Sequence, residues 1–132
     1  MKQKNIRTLK KKLQKIFHEF IRKRDLENGC ISCGKRVPYG QAWHAGHFYP
    51  RSTQYASLWF DEQNTNGQCS YCNTYLGGNP PGYVNGLLKK YGKDILTTLE
   101  LRKICSKRNI WTVFEYEAMI KKYSELNQKE KK

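Results

Sequence analysis

The sequence predicts a small α+β fold, in which a central core stapled by paired cysteines lies between helices at both ends. Four of the five cysteines form two Cys-x-x-Cys pairs, Cys30 with Cys33 and Cys69 with Cys72. Apolar residues recur at helical spacing on either side of these pairs. With 132 residues, the chain is long enough for one domain with a modest core.

The first helix is predicted from apolar positions spaced three and four residues apart, which places an amphipathic helix over residues 6–24. Basic side chains occupy its other faces, and we expect them to contact a DNA backbone, although such a face can also be merely solvated. His18 lies off the apolar stripe and is expected at the surface. The apolar positions are Ile6, Leu9, Leu13, Ile16, Phe17 and Phe20.

The central core is predicted to hold two short strands and a short helix. Residues 41–48 form a plausible strand after a Pro-Tyr-Gly turn, and Leu58-Trp59-Phe60 form a plausible second strand. Residues 61–68 are expected to be a polar loop. A short helix is expected to begin at Cys69 or Ser70 and to stop at Gly77-Gly78.

The C-terminal part is predicted to be helical, with a helix ending at Gly92, a second over residues 95–105 and a third from Thr112 to about Leu126. Thr112 and Glu115 have the spacing of a capping box. Cys105 falls on an apolar helix face, so we expect a buried free thiol. The chain therefore divides into a basic N-terminal helix (1–29), a metal-bound core (30–82), C-terminal helices (83–126) and a disordered tail (127–132).

The two cysteine pairs favour a zinc site. The pairs are separated by 35 residues, so an inserted element must fill the space between two knuckles. Two disulfides or a redox pair are the alternatives, but neither is common in the intracellular protein that the composition indicates. Zinc bound by Cys30, Cys33, Cys69 and Cys72 would be structural, because four protein ligands leave no position for water.

The charge is unevenly distributed along the chain. Lys and Arg number 25 against 11 Asp and Glu, a net charge of +14. Residues 1–24 carry +9, residues 25–82 carry −1 and residues 83–132 carry +6. Two basic arms around a near-neutral centre favour phosphate contacts by the arms, with an anionic membrane surface as the lesser alternative. The sequence contains no secretory signal and no membrane-length apolar run, so we expect an intracellular protein.

The polar residues between the cysteine pairs suit phosphodiester hydrolysis. Such a reaction needs a base to deprotonate water and a cation to stabilise the developing charge. His47 has the chemistry of a base near neutral pH. We expect it at the end of a strand, facing Asn73 at the start of a helix.

The arrangement Gly46-His47-Phe48-x-Pro50-Arg51, then Asn64, then Cys69-x-x-Cys72-Asn73 resembles the HNH nucleases of the ββα-metal class. More narrowly, residues 8–125 resemble the NinG/Rap recombination endonucleases of lambdoid phages. The resemblance implies a zinc-stapled ββα-metal (HNH) core and an endonuclease that cuts D-loops or Holliday-type junctions with Mg²⁺ or Mn²⁺. It also implies action in the cytoplasm of a bacterial host or of a bacterium carrying a prophage.

Carried over by position, the resemblance makes His47 the general base, Asn64 the residue that orients it through its loop, and Asn73 a ligand of the catalytic metal. Many members of the wider class have Asp or His before the base histidine, where this chain has Gly46. Side chains alternate along a strand, so His44 shares a face with position 46. We therefore expect His44 to supply the missing ligand.

DNA, expected to be branched, is the predicted partner, and a symmetric homodimer would suit two duplex arms. Two alternatives remain: a non-catalytic zinc-stapled DNA-binding module, and an HNH nuclease acting on linear duplex. Arg51 is expected near the scissile phosphate, while the other basic residues grip the backbone. The expected DNA contacts are Lys11, Lys12, Lys15, Arg22, Lys23, Arg51, Lys89 and Lys90.

Overall fold

The computed structural model describes residues 5–106 and 111–129 and confirms the predicted α+β class. Within these ranges the chain forms four α-helices and one two-stranded sheet. A 3₁₀ segment (Thr53–Leu58) lies between the strands, and a π-helical turn (Tyr71–Tyr75) follows the second strand. The main elements are α1 (Ile6–Asp25), β1 (Trp43–His47), β2 (Thr65–Cys69), α2 (Pro80–Tyr91), α3 (Ile95–Ile104) and α4 (Val113–Lys129).

Helix α1 confirms the prediction made from its apolar spacing. The Oδ1 atom of Asn5 caps it by accepting from the backbone N–H of Arg7 at 2.8 Å. Leu13, Phe17 and Ile21 are fully buried and pack in one cluster with Tyr116 and Tyr123 of α4. Because α1 and α4 cover each other, the basic residues of α1 are left on its outer faces.

The sheet pairs β1 with β2 in antiparallel register, with Trp43 opposite Cys69 and His47 opposite Thr65. The prediction of a strand at Leu58-Trp59-Phe60 is wrong, because Leu58 ends the 3₁₀ segment and the next two residues form a turn. The true partner strand is β2 (Thr65–Cys69), and all of it except Cys69 lies in the segment 61–68 that was predicted as a polar loop.

Strand β2 is buried throughout although its residues are mostly polar. Several of its polar groups are satisfied by neighbouring elements, whereas Thr65 Oγ1 and Gln68 Oε1 have no hydrogen-bond partner among the described residues. The side-chain Nδ2 of Asn66 donates to the Tyr83 hydroxyl at 3.2 Å, and Nε2 of Gln68 donates to Ser32 Oγ at 2.8 Å. The backbone N–H of Gly67 donates to Asp25 at 2.8 Å. Such pairing allows polar residues to occupy a core position.

The three residues that were wrongly predicted to form a strand place their side chains in two separate hydrophobic clusters. Trp59 and Phe60 join the cluster of α1 and α4, whereas Leu58 packs with Tyr83 and Leu87 of α2 and with two residues of α3. Aromatic and aliphatic side chains in a row are typical of strands. Here they are buried because the backbone turns between the two cores.

The C-terminal helices begin and end largely as predicted. Asn79 Oδ1 caps α2 by accepting from Gly82 N–H at 3.4 Å, and Gly92 ends α2 with a positive φ of 96°. The capping box of α4 is confirmed by reciprocal bonds of 3.0 and 3.1 Å between Thr112 and Glu115. No helix within the described ranges is long and apolar enough to cross a membrane.

Two expectations for this part of the chain are wrong. Cys105 is exposed rather than buried, because it caps the end of α3 beyond the last buried position, Leu99. The disordered tail does not begin at residue 127. Helix α4 continues to Lys129, and buried Asn127 donates to the carbonyl of Ile16 and to Glu19, both at 3.0 Å. Residues 130–132 lie outside the described residues.

Candidate functional site

The four cysteines of the two pairs converge at one end of the sheet. Their Sγ atoms all lie within 4.8 Å of one another, and those of Cys33 and Cys69 are 3.8 Å apart. A tetrahedral zinc ion with Zn–S bonds of about 2.3 Å holds its sulfurs about 3.8 Å apart. Donor type, number and spacing therefore fit a structural zinc ion.

Local backbone geometry builds each knuckle. The N–H of Gly34 donates to the Cys30 carbonyl at 2.8 Å, and the N–H of Cys30 donates to the Lys35 carbonyl at 2.9 Å. Gly34 has a φ of +79°, a conformation that a side chain would strain. In the second knuckle, Nδ2 of Asn79 lies 3.5 Å from the Cys72 sulfur. These turns bring each pair of sulfurs to the same side of its loop.

The four thiols do not share one proton affinity. Burial raises the pKa of the Cys72 thiol to about 12 and that of Cys30 above its usual value, whereas hydrogen bonds from the other cysteines outweigh burial and lower the pKa of Cys69. Zinc binds thiolates, so four neighbouring sulfurs can all lose their protons only beside a strong positive charge. Zinc would supply that charge.

Asn73, which directly follows Cys72, contacts His44. Nδ2 of Asn73 lies 2.9 Å from Nδ1 of His44, and Nε2 of His44 lies 2.9 Å from the carbonyl of Gln41. A carbonyl can only accept, so Nε2 carries the ring proton and Nδ1 holds the lone pair. An imidazole nitrogen and an amide thus lie side by side. Rotation of the amide would present its oxygen, giving two ligands suited to a divalent cation.

His47 makes a different set of contacts. Its Nε2 lies 3.2 Å from the carbonyl of Trp59, so Nε2 carries the proton and Nδ1 is free to accept one. Burial lowers its pKa to about 4. The hydrogen bond to Trp59 opposes this effect, and the charge of Arg51 adds a smaller lowering effect. His47 is therefore a neutral imidazole of fixed tautomer at pH 7.

Asn64 joins the segments that surround His47. It is fully buried, and its Oδ1 accepts from Tyr49 N–H at 2.9 Å. Its Nδ2 donates to the carbonyls of Tyr49 at 3.0 Å and Leu58 at 3.2 Å. Its own carbonyl accepts from Phe48 N–H at 2.9 Å. One side chain thus ties the residues after His47 to those just before Trp59.

The residues expected at the site lie in two groups. His44 and Asn73 meet in one group, while His47 and Asn64 belong to the other. Because side chains alternate along β1, positions 44 and 47 point to opposite faces of that strand. Asn73 consequently meets His44, on the face of β1 opposite to His47, which it was expected to face.

Sequence reasoning missed His18, which it placed at the surface. The ring of His18 packs edge-on against that of His47, with centroids 5.3 Å apart. Burial lowers its pKa to about 3, with further contributions from nearby positive charges. Its position between buried Phe17 and Ile21 of the apolar stripe was the available signal.

The basic side chains predicted to contact DNA differ in their exposure and in the contacts that they make within the protein. Lys90 pairs with the buried carboxylate of Asp25 at 2.9 Å, and Lys23 is held by Glu19 at 3.4 Å. Arg22 is partly buried and lies 5.4 Å from the ring centroid of Tyr39. The remaining predicted contacts are exposed: Lys11, Lys12, Lys15, Arg51 and Lys89.

Comparison with known proteins assigns this chain to a family. The family model described as bacteriophage Lambda NinG protein matches residues 1–132, the whole chain. The chain belongs to the NinG family. It is 36% identical over 116 residues to Protein ninG of Escherichia phage 933W, covering 87% of this chain and 54% of the relative.

Two further NinG relatives give the same result. Protein ninG of Escherichia phage lambda is 34% identical over 116 residues, covering 87% of this chain and 53% of the relative. Protein ninG of Salmonella phage P22 is 35% identical over 116 residues, with 87% and 54% covered. The chain therefore spans about half the length of the curated relatives that it matches. No solved structure matches it significantly.

Proposed function

We propose that this NinG-family chain is a metal-dependent, HNH-type endonuclease that cleaves branched DNA. The observation that carries the proposal is the hydrogen bond from His47 Nε2 to the Trp59 carbonyl. This bond leaves Nδ1 of a neutral imidazole free, which is the state that a general base needs.

His47 is proposed to act as the base of hydrolysis. Its Nδ1 removes a proton from water, and the resulting hydroxide attacks the phosphorus in line with the 3′ oxygen, which departs. The products would carry 5′ phosphate and 3′ hydroxyl ends. Asn64 holds the backbone on both sides of His47 by hydrogen bonds of 2.9 to 3.2 Å, and we assign it the role of keeping the imidazole in place.

His44 and Asn73 are the proposed ligands of the catalytic cation. The 2.9 Å contact between them supports a shared role, and Asn73 is held next to Cys72 of the zinc centre. A bound Mg²⁺ or Mn²⁺ would stabilise the negative charge that develops on the phosphate and the leaving oxygen. His44 also lies on the same face of β1 as Gly46, which has no side chain to bind a metal.

The exposed lysines of α1 and α2 are proposed to hold the DNA backbone. Lys11, Lys12 and Lys15 are exposed on α1, and Lys89 is exposed on α2. A branched substrate presents two duplex arms, and two basic helices on one small chain could contact both. Branch selectivity and a homodimer are part of this proposal.

A non-catalytic DNA-binding module is the second candidate. The observation that favours it is that His47 and Asn73 belong to contact groups on opposite sides of β1. A zinc-stapled core with basic helices would bind DNA without either group. An HNH nuclease acting on linear duplex is the remaining alternative, and cleavage separates the three.

The test is cleavage of a labelled four-way junction, a D-loop and a matched linear duplex with Mg²⁺ or Mn²⁺. Wild type is compared with His47→Ala and His44→Ala after each is checked for bound zinc and DNA affinity. We expect cutting of the branched substrates, and a loss of about 10²-fold or more in rate for His47→Ala with binding retained. His44→Ala should raise the concentration of divalent ion needed for cutting.

Binding without cutting by wild type in both metals would refute the nuclease and favour the binding module. Equal cutting of linear and branched DNA would refute the branch selectivity alone. Products with 3′ phosphate ends would contradict the proposed direction of cleavage, and an unchanged Mg²⁺ requirement in His44→Ala would remove His44 from the ligand set.

A further inference from the structure

Two tyrosine rings lie side by side on the surface of the π-helical turn that follows β2. Tyr71 is 59% exposed and Tyr75 is 80% exposed, and their ring centroids are 5.8 Å apart with 34° between the ring planes. Leu76, which is 44% exposed, follows directly. None of the three belongs to a hydrophobic cluster of the described residues. Apolar side chains that are exposed together, rather than singly, mark a binding surface.

The turn holds these rings in a fixed place. The backbone N–H of Leu76 donates to the Tyr71 carbonyl at 3.0 Å, which closes the turn. Between the two rings in sequence lie Cys72, whose sulfur belongs to the cysteine cluster, and Asn73, which contacts His44. The rings are therefore carried by the same short element as a zinc-site cysteine and a proposed ligand of the catalytic cation. An element that is fixed in this way suits a binding surface.

The chain around this turn is poor in acidic residues. From residue 28 to residue 93 it has two carboxylates, Asp61 and Glu62, against six lysines and arginines. Arg102 of α3 binds Asp61 at 2.8 Å, and the Tyr123 hydroxyl of α4 donates to Glu62 at 2.8 Å. A polyanion that covers the tyrosine rings would therefore meet no unpaired carboxylate from this part of the chain.

Exposed cations lie on the same cysteine cluster as the rings. Lys35 and Arg36 are exposed and follow Cys33 in the first knuckle. The Cys33 sulfur lies 3.8 Å from that of Cys69, which is two residues before Tyr71. Positive charge and exposed aromatic rings are thus joined through one small cluster. Proteins that bind single-stranded nucleic acid combine these two features.

An unpaired nucleobase fits this surface in both shape and chemistry. Every base has a flat π face that can stack on a tyrosine ring, and a nearby cation can hold the backbone that carries the base. In a linear duplex these faces are already stacked on one another, whereas an unpaired strand exposes them. A second copy of the chain fits less well, because a standard interface covers about 800 Å² on each partner, more than two rings and a leucine provide.

We propose that Tyr71 and Tyr75 form a platform on which unpaired bases of the DNA substrate stack. The proposal rests on the proposed function for DNA as the partner, and it adds a source of selectivity for branched DNA. Lysines and arginines contact the phosphates of any DNA and cannot by themselves distinguish a branch from a linear duplex. The platform can, because it binds base faces that only an unpaired strand, such as the displaced strand of a D-loop, makes available.

The test compares the binding of three labelled DNAs: an oligothymidylate single strand, a D-loop and a matched linear duplex. Fluorescence anisotropy is measured on zinc-loaded protein without Mg²⁺ or Mn²⁺, so the assay requires no cleavage. Replacing both rings (Tyr71→Ala with Tyr75→Ala) should weaken binding of the single strand and the D-loop by about tenfold, as expected for lost stacking. The duplex affinity should stay within about twofold, because the bases of a duplex are not available to the rings.

Matched variants separate stacking from other effects of the substitutions. Tyr71→Phe with Tyr75→Phe keeps both rings and should bind every DNA within about twofold of wild type, whereas the corresponding leucine pair should lose about fivefold or more on the single strand. Phe114→Ala removes a ring that is 79% exposed on α4 and should leave all three affinities unchanged. The alanine pair should retain its zinc and its melting temperature, because the rings are exposed. It should also keep the salt slope of binding, since it removes no charge.

An unchanged single-strand affinity in the alanine pair, an equal loss on duplex and single strand, or wild-type binding by the leucine pair would overturn the platform. A change from dimer to monomer in the alanine pair, measured by sedimentation velocity and accompanied by equal losses on all three DNAs, would assign the rings to a contact between two copies instead. Cleavage of branched DNA by a protein whose binding does not depend on the rings would retain the proposed function and reject the platform. Ring-dependent binding of single strands without cleavage would retain the platform and reject the nuclease.

Discussion

Removing the charge of the buried Asp25 carboxylate is expected to lower the free energy of unfolding more than removing any other single charge. Asp25 ends α1 and is 1% exposed. Arg24 contacts both of its oxygens at 2.8 Å, Lys90 of α2 contacts it at 2.9 Å, and the backbone N–H of Gly67 in β2 donates to it at 2.8 Å. One side chain thus joins two helices to the sheet, beside the zinc-binding knuckles.

Asp25→Asn keeps the shape of the side chain and removes its charge. Two cations would then be left partly buried without their partner, since the Arg24 and Lys90 side chains are only 23% and 24% exposed. Breaking such an arrangement costs about 3 kcal/mol, which corresponds to a fall in melting temperature of about 10 °C for a chain of this size. The assay is urea unfolding with zinc present.

Asp94→Asn is the matched control, because Asp94 is exposed and its side chain makes no capping hydrogen bond. It should change the free energy of unfolding by less than about 0.5 kcal/mol. A decrease of less than about 1 kcal/mol in the free energy of unfolding of Asp25→Asn would refute the reasoning. It would mean that the stabilisation from the three contacts of the carboxylate barely exceeds the free-energy cost of burying it.

The pH dependence of this effect follows from the pKa of Asp25. Burial alone would raise this pKa, but the hydrogen bonds and charge of Arg24, followed by Lys90, outweigh it and hold the pKa below its ordinary value. The pKa of Lys90 is lowered, first by burial and then by the charge of Arg24, and its ion pair with Asp25 does not fully offset these two effects. A lowered folded-state pKa stabilises the protein above the unfolded-state pKa. The difference between wild type and Asp25→Asn should therefore persist near neutral pH and shrink only below about pH 4.

The remaining predictions concern α2 and the zinc centre. Lys89→Gln should reduce the salt slope of DNA binding by about one without loss of stability, whereas Lys90→Gln should lower the free energy of unfolding by about 1 to 2 kcal/mol. Fluorescence anisotropy and urea unfolding measure the two effects, and the reverse pattern would contradict the ion pair of Lys90 with Asp25. Cys72→Ser should abolish zinc binding as measured by elemental analysis, while exposed Cys105→Ser should retain it. Full zinc content in Cys72→Ser would remove that sulfur from the centre.

Local pattern was enough to predict the helices, because each depends on interactions within a few residues. The apolar spacing of α1, the capping box at Thr112 and the stop at Gly92 all agree with the structure. The same holds for the cysteine pairs, whose chemistry and spacing specify a metal centre before its geometry is seen.

The partner strand could not be predicted in this way. Strand β2 contains Thr65, Asn66 and Gln68, which lack the apolar alternation of a strand. Its burial depends on hydrogen bonds that its side chains donate to residues distant in sequence. Trp59 and Phe60 gave a stronger local signal and were wrongly assigned to a strand. Side-chain composition describes the preference of a segment, whereas pairing depends on what surrounds it.

The sequence by itself determined three features of this chain: two cysteine pairs with the spacing of a zinc site, the polar residues on which the nuclease proposal rests, and the helices with basic residues on either side of them. Only the tertiary structure decided which of these residues meet. It pairs His44 with Asn73, sets His47 against Trp59 and His18, and commits Lys90 to Asp25. Residue type fixes what a side chain can do, but its neighbours, and hence its charge and tautomer, depend on contacts between segments far apart in the chain.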